Sequence, residues 1–120
     1  MDHKTNIKEL KDLIKKFCDD RDWDQFHNAK DLTIAIVTEA SELLEHFRFK
    51  SEKEVDAMFE DVKKREELSE EVADILYFLI RLAERYNLDL TTELNKKITK
   101  NEIRYPIEKV KGSNKKYSEY

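Results

Sequence analysis

The sequence predicts an all-α fold, and three observations carry that prediction. Glycine and proline occur once each, at Gly112 and Pro106, so nothing before residue 106 interrupts a helix by composition. Apolar residues recur at helical spacing through most of the chain. Polar capping residues stand where the periodic runs begin. Charged residues make up 42% of the chain and hydrophobic ones 39%, a mixture that fits solvated helix faces around a core rather than disorder. At 120 residues the chain reads as one domain with a modest core, a size at which oligomerisation helps to bury apolar surface.

The first helix covers about Asn6 to Asp20, with an apolar stripe of Ile7, Leu10, Leu13, Ile14 and Phe17. The polar run from Asp19 to Asp24 breaks it. Trp23, Phe26 and His27 fall in a connecting segment, where aromatics serve either as core plugs or as ligand contacts. A second helix starts near Asn28 to Asp31, either of which can cap it, and ends near Lys50. Its apolar face holds Leu32, Ile36, Leu43 and Phe47, and seven-residue spacing would place Phe49 on the same side as Glu42. Ser51-Glu-Lys-Glu54 has the capping-box pattern and opens a short helix through Val55, Met58, Phe59 and Val62.

Lys63-Lys-Arg-Glu-Glu reads as a solvated turn or face. The next helix runs from about Glu66 to Tyr86, and its stretch from Val72 to Ala83 is apolar nearly all round, which implies a central position. Asn87-Leu-Asp-Leu is a turn. Asp89 caps a last helix with Leu90, Leu94 and Ile98, and that helix stops by Tyr105, because proline disfavours helix at the residue before it. The domain thus covers residues 1–106, and residues 107–120 form a basic tail, mobile or docked on a partner subunit.

The net charge of −4 is unevenly spread: Asn95 to Lys116 holds eight Lys/Arg and two acids, so it carries +6 and the remainder −10. The basic stretch is a solvated tail or a set of phosphate contacts; an acidic chain makes a broad nucleic-acid surface the weaker reading. The one cysteine, Cys18, allows no internal disulfide, and the N-terminus lacks the apolar core of a signal peptide. No run of apolar residues is long enough to span a membrane, so the expected location is the cytoplasm.

Two glutamates disturb the apolar face of the second helix. Glu39 falls between Ile36 and Leu43, and Glu42 lies one turn on, so the pair aims two carboxylates from one face toward the interior. Glu71-Val-Ala-Asp74 repeats the pattern in the most apolar segment of the chain. Unpaired buried carboxylates are costly and need a cation or protons. Four of them form an oxygen-rich cage suited to a hard cation such as magnesium (Mg2+). The bland alternative is ion pairing, for which Arg81, one heptad after Asp74, is the available cation. Paired Glu-x-x-His motifs for di-iron, a cysteine set for structural zinc and a glycine-rich phosphate loop are all missing.

Glu39-x-x-Glu42 followed after 28 residues by Glu71-x-x-Asp74 resembles the metal signature of the MazG-like all-α nucleoside triphosphate pyrophosphohydrolases. Arg21-Asp-Trp-Asp-Gln-Phe-His27, Asn101, Arg104-Tyr-Pro106 and Lys116-Tyr-Ser-Glu119 resemble the dCTP pyrophosphatase branch, so the similarity runs over residues 7 to 119. The resemblance implies hydrolysis of a (deoxy)nucleoside triphosphate to its monophosphate and pyrophosphate. It also implies magnesium on Glu39, Glu42, Glu71 and Asp74, and a homotetramer or homodimer. Substrate contacts are implied for Trp23, His27, Phe49, Lys97, Asn101, Arg104 and Tyr105.

The chain departs from the branch at three positions. Phe49 stands where the branch has a tryptophan, Ile14 where it has a histidine, and Phe78 where it has a tyrosine, with Tyr77 adjacent. These bear on the base rather than on the phosphate chemistry. The rivals are a dUTPase-like or broad triphosphate pyrophosphatase and a non-catalytic helical interaction module, which would be indifferent to magnesium.

Overall fold

A computed structural model describes residues 1–119, which form helices and turns with no strand among the described residues. The order is α1 (Ile7–Asp19), a 3-10 turn (Asp24–Phe26), α2 (Ala29–Phe47), α3 (Glu52–Glu60), α4 (Val62–Arg85), α5 (Leu90–Arg104), α6 (Ile107–Val110) and a second 3-10 turn (Tyr117–Glu119).

Each long helix opens on a side chain that accepts a hydrogen bond from an otherwise unpaired backbone N–H. Asn6 and Glu9 make a complete capping box on α1, Asn28 caps α2, Ser51 caps α3, Asp61 caps α4 and Asp89 caps α5. Two boundaries differ from expectation. Asp61 starts α4 a turn early, so Val62 belongs to α4 rather than α3, and Lys63 to Glu67 are a solvated helical face. The second helix ends at Phe47, because Arg48 takes an extended ψ of 134° and leaves the helical path.

The chain divides into two compact units, Met1–Asn87 and the segment from Leu88 onward. In the first, α4 packs against α1, α2 and α3. Ala29 at the start of α2 meets Tyr86 at the end of α4, and His46 near the end of α2 meets Glu71, so the two helices run antiparallel. The core takes Ile14 and Cys18 from α1, Leu32 from α2, Met58 from α3, and Leu68, Ile80 and Ala83 from α4. A buried leucine or isoleucine contributes ~1.5–3 kcal/mol, so α4 and its three neighbours hold the unit together mainly through these few side chains. The expected stripe of α1 is narrower than its sequence suggests, since Leu13 and Phe17 stay exposed.

Both carboxylate-bearing helices also carry a second apolar stripe that this chain leaves uncovered: Ile34, Val37 and Leu44 on α2, and Val72, Leu76 and Leu79 on α4. The all-round apolar character of α4 therefore has two sources, a core face and an open face. No helix among the described residues is long and apolar enough to cross a membrane. In the second unit the Tyr105 ring meets the Tyr117 ring edge-on at 6.0 Å, and the Arg104 guanidinium lies 4.9 Å from the same Tyr117 ring. Pro106, at φ −60°, sets the start of α6.

Candidate functional site

The antiparallel pairing of α2 and α4 brings three of the four signature carboxylates together. Glu39, Glu42 and Glu71 each offer an oxygen within 4.8 Å of the others. Asp74 stands outside that tight group but close enough to act on Glu39 through its charge. The expectation that all four point into the interior needs correction. Glu39 and Glu71 are half-buried, whereas Glu42 and Asp74 are exposed, because the groove between α2 and α4 opens on that side.

Glu39 Oε2 and Glu71 Oε2 are buried and have no hydrogen-bond partner. Such an oxygen loses its hydration without compensation, an arrangement that a cation would relieve. Burial, then Glu42 beside it, then the charges of Asp74 and Glu71 push the Glu39 carboxyl above its usual range. The donor set is all oxygen, which fits a hard divalent cation. Arg81 does not neutralise this cluster. Its guanidinium is spent on Asp24 and Glu84, so the ion-pairing alternative does not account for the carboxylates.

His46 is a neighbour that the signature does not contain. Its Nε2 lies 3.6 Å from Glu71 Oε1, and with Glu42 and Glu45 it lines a cavity of 300 Å³. The four-residue step from Glu42 to His46 was the available signal, because it puts both on one face of α2.

The expected substrate contacts fall in three places. Trp23 and His27 flank the first 3-10 turn, with their rings 5.9 Å apart, and Trp23 also meets the Phe17 ring at 5.7 Å. Trp23 is 36% exposed, so it forms the rim of an aromatic cluster rather than a sealed plug. Lys97 and Asn101 lie one turn apart on α5, followed by Arg104 at its end and Tyr105 as its cap.

Phe49 is where helical reasoning fails. It lies beyond the end of α2, at φ 63°, and is 91% exposed under the Arg48 guanidinium at 4.7 Å. Seven-residue spacing therefore does not place it beside Glu42, and it plugs no core in this chain. A positive φ costs a phenylalanine about 1–2 kcal/mol. Phe49→Gly is expected to raise stability by up to about 1 kcal/mol in urea titration while weakening substrate binding. Phe49→Ala is expected to leave the melting temperature nearly unchanged; a core-sized loss of ~3–5 kcal/mol would contradict this exposed placement.

Residues 34–120 match the model of the MazG-like family. The chain is 36% identical over 113 residues to dCTP pyrophosphatase 1 of Rattus norvegicus, a match that covers 94% of this chain and 66% of the relative. To the Homo sapiens protein of the same name it is 34% identical, with the same coverage. It thus spans just under two thirds of the length of these curated relatives, at 66%. A solved pyrophosphatase from Archaeoglobus fulgidus superposes with a TM-score of 0.77 at 34% identity, over 82% of this chain and 91% of that one.

Proposed function

This chain belongs to the MazG-like family, and from that premise we propose that it hydrolyses a (deoxy)nucleoside triphosphate, dCTP or a modified relative, to nucleoside monophosphate and pyrophosphate. The observation that carries the reading is the Glu39–Glu42–Glu71 cluster with its two orphaned buried oxygens. Glu39, Glu42, Glu71 and Asp74 would hold magnesium, which when bound screens the triphosphate's charge and makes nearby water more acidic. Trp23 and Phe49 offer faces to the base. Lys97 and Arg104 supply positive charge for the leaving pyrophosphate, with Asn101 and Tyr105 as further nucleotide contacts. The uncovered stripes of α2 and α4 support a homo-oligomer, a dimer or a tetramer, working on the cytoplasmic nucleotide pool.

Phe49, Ile14 and Phe78 stand where the dCTP branch has other residues, and they favour broad or dUTPase-like preference as the second reading. A screen of common and modified triphosphates for pyrophosphate release separates the two. Phosphorus NMR of the reaction is expected to show monophosphate and pyrophosphate in equal amounts, and only with magnesium present. Orthophosphate with a nucleoside diphosphate would place the cleavage at the wrong bond. Indifference of both activity and melting temperature to magnesium would point instead to a non-catalytic module.

A further inference from the structure

Glu39, Glu42 and His46 recur at i, i+3 and i+7 and form one stripe of α2, and Glu71 of α4 faces that stripe across the groove. The three glutamates bring like charges within 4.8 Å of one another. At that separation they repel, and each carboxylate gains by turning out toward water. Glu71 nevertheless stays half-buried, and its Oε2 is buried without a hydrogen-bond partner. Packing alone does not confine this end of the groove, because a cavity of 300 Å³ lies against Glu42, Glu45 and His46.

His46 is the group that opposes the repulsion. Among the described residues, no lysine or arginine forms an ion pair with Glu39, Glu42, Glu71 or Asp74. The nearby cations are committed elsewhere: Lys64 to Glu67 at 3.0 Å, Arg48 to Glu45 at 3.5 Å, and Arg81 to Asp24 and Glu84. What reaches the cluster instead is the His46 imidazole, with Nε2 3.6 Å from Glu71 Oε1. That distance lies just beyond a direct hydrogen bond, and a small side-chain rotation or one water closes it. A neutral ring with its proton on Nε2 suffices as the donor, so the contact does not depend on charging the imidazole.

The direction of the pull matters. His46 stands on α2, so its attraction for Oε1 draws Glu71 across the groove, toward Glu39 and Glu42 and against their repulsion. His46 has no other ion-pair or hydrogen-bond partner among the described residues. The competing task is structural: His46 lies in the last turn of α2, where a basic side chain complements the helix dipole.

We propose that His46 is a positioning residue that holds the Glu71 carboxylate in the cluster, so that the oxygens for a divalent cation converge before the ion arrives. This rests on the metal-dependent reading given above and adds to it a residue outside the four-carboxylate signature.

The test is a magnesium titration of the full chain without substrate, at one fixed neutral pH, followed by calorimetry and by melting temperature. His46→Leu is expected to raise the magnesium dissociation constant roughly 10-fold, the usual effect of losing a partner that orients a metal ligand. The metal-free melting temperature should stay close to that of the parent. His46→Gln, whose side-chain amide puts an N–H in place of the Nε2–H, should recover most of the magnesium affinity. If His46→Leu does not fold, His46→Asn, whose amide is too short to reach Glu71, takes its place under the same expectations. An unchanged magnesium constant overturns the proposal, and so does a glutamine variant that binds as weakly as the leucine one. A lowered melting temperature with an unchanged constant would assign His46 to the end of α2 instead. Magnesium-dependent pyrophosphate release that ignores His46→Leu would remove this proposal and leave the pyrophosphatase reading intact. A parent chain that gives no response to magnesium by either method would remove both.

Discussion

Replacing Glu39 by Gln, or Asp74 by Asn, is expected to cut turnover by roughly 100-fold or more at saturating magnesium while the chain stays helical. The expectation follows from the orphaned oxygen of Glu39 and from the charge that Asp74 places beside it. Both variants keep side-chain volume and remove one anionic oxygen pair, so a loss of activity reports charge rather than packing. Glu39 also makes the sign of the stability effect definite. Its pKa is raised in the fold, so ionising it costs stability as pH climbs above the ordinary carboxylate range. Metal-free Glu39→Gln should therefore melt at or above the parent temperature near neutral pH. Magnesium should raise the melting temperature of the parent and do much less for the variant. Near-normal turnover in both variants would overturn the assignment of these carboxylates.

Arg81→Ala is expected to be the most destabilising single change outside the apolar core, at roughly 3 kcal/mol by urea denaturation. Breaking a buried ion pair typically costs ~3–5 kcal/mol. The lower end applies because Asp24 is 47% exposed and can rehydrate, while Glu84, at 14%, cannot do so as readily. Arg81→Met fills the space without the charge and should cost less, because it leaves no cavity. The same network shapes the acid limb. Arg81 holds the Asp24 carboxyl below its usual range, so its contribution is complete above the unfolded pKa and is lost as pH falls through the folded one. Asp24→Asn should flatten the fall in stability below about pH 4. An unchanged acid limb would show that this pair contributes nothing measurable.

The helices were legible because their start signals are local. Asn6, Asn28, Ser51 and Asp89 each act on a backbone N–H within three residues; Ser51 and Asp89 cap where the pattern places them, and of the two candidates for α2 it is Asn28 rather than Asp31 that caps. Asp61 escaped notice because a polar run, Lys63 to Glu67, looks the same as a turn or as the wet face of a helix. The end of α2, expected near Lys50 and found at Phe47, was legible only to within about a turn. No glycine or proline marks it, and a phenylalanine at positive φ has no sequence signature. The carboxylate cluster was readable as spacing but not as burial. Periodicity ranks faces within one helix and says nothing about whether a neighbour roofs the groove above Glu42 and Asp74. His46 beside Glu71 and Arg81 beside Asp24 depend on which helices meet, and that information is tertiary.

The bond from Arg81 to Asp24 joins residues 57 apart in the chain, and the bond to His27 spans 54. Both close a loop that holds α2, α3 and most of α4. Closing so long a segment is entropically costly early in folding, whereas the helix caps and i, i+4 pairs form at once. The Arg81 cluster is therefore expected to form late, so that Arg81→Met should speed unfolding more than it slows refolding in stopped-flow measurements. On that expectation, the contacts that hold the segment carrying Trp23 and His27 set how long the folded chain lasts more than how quickly it is made.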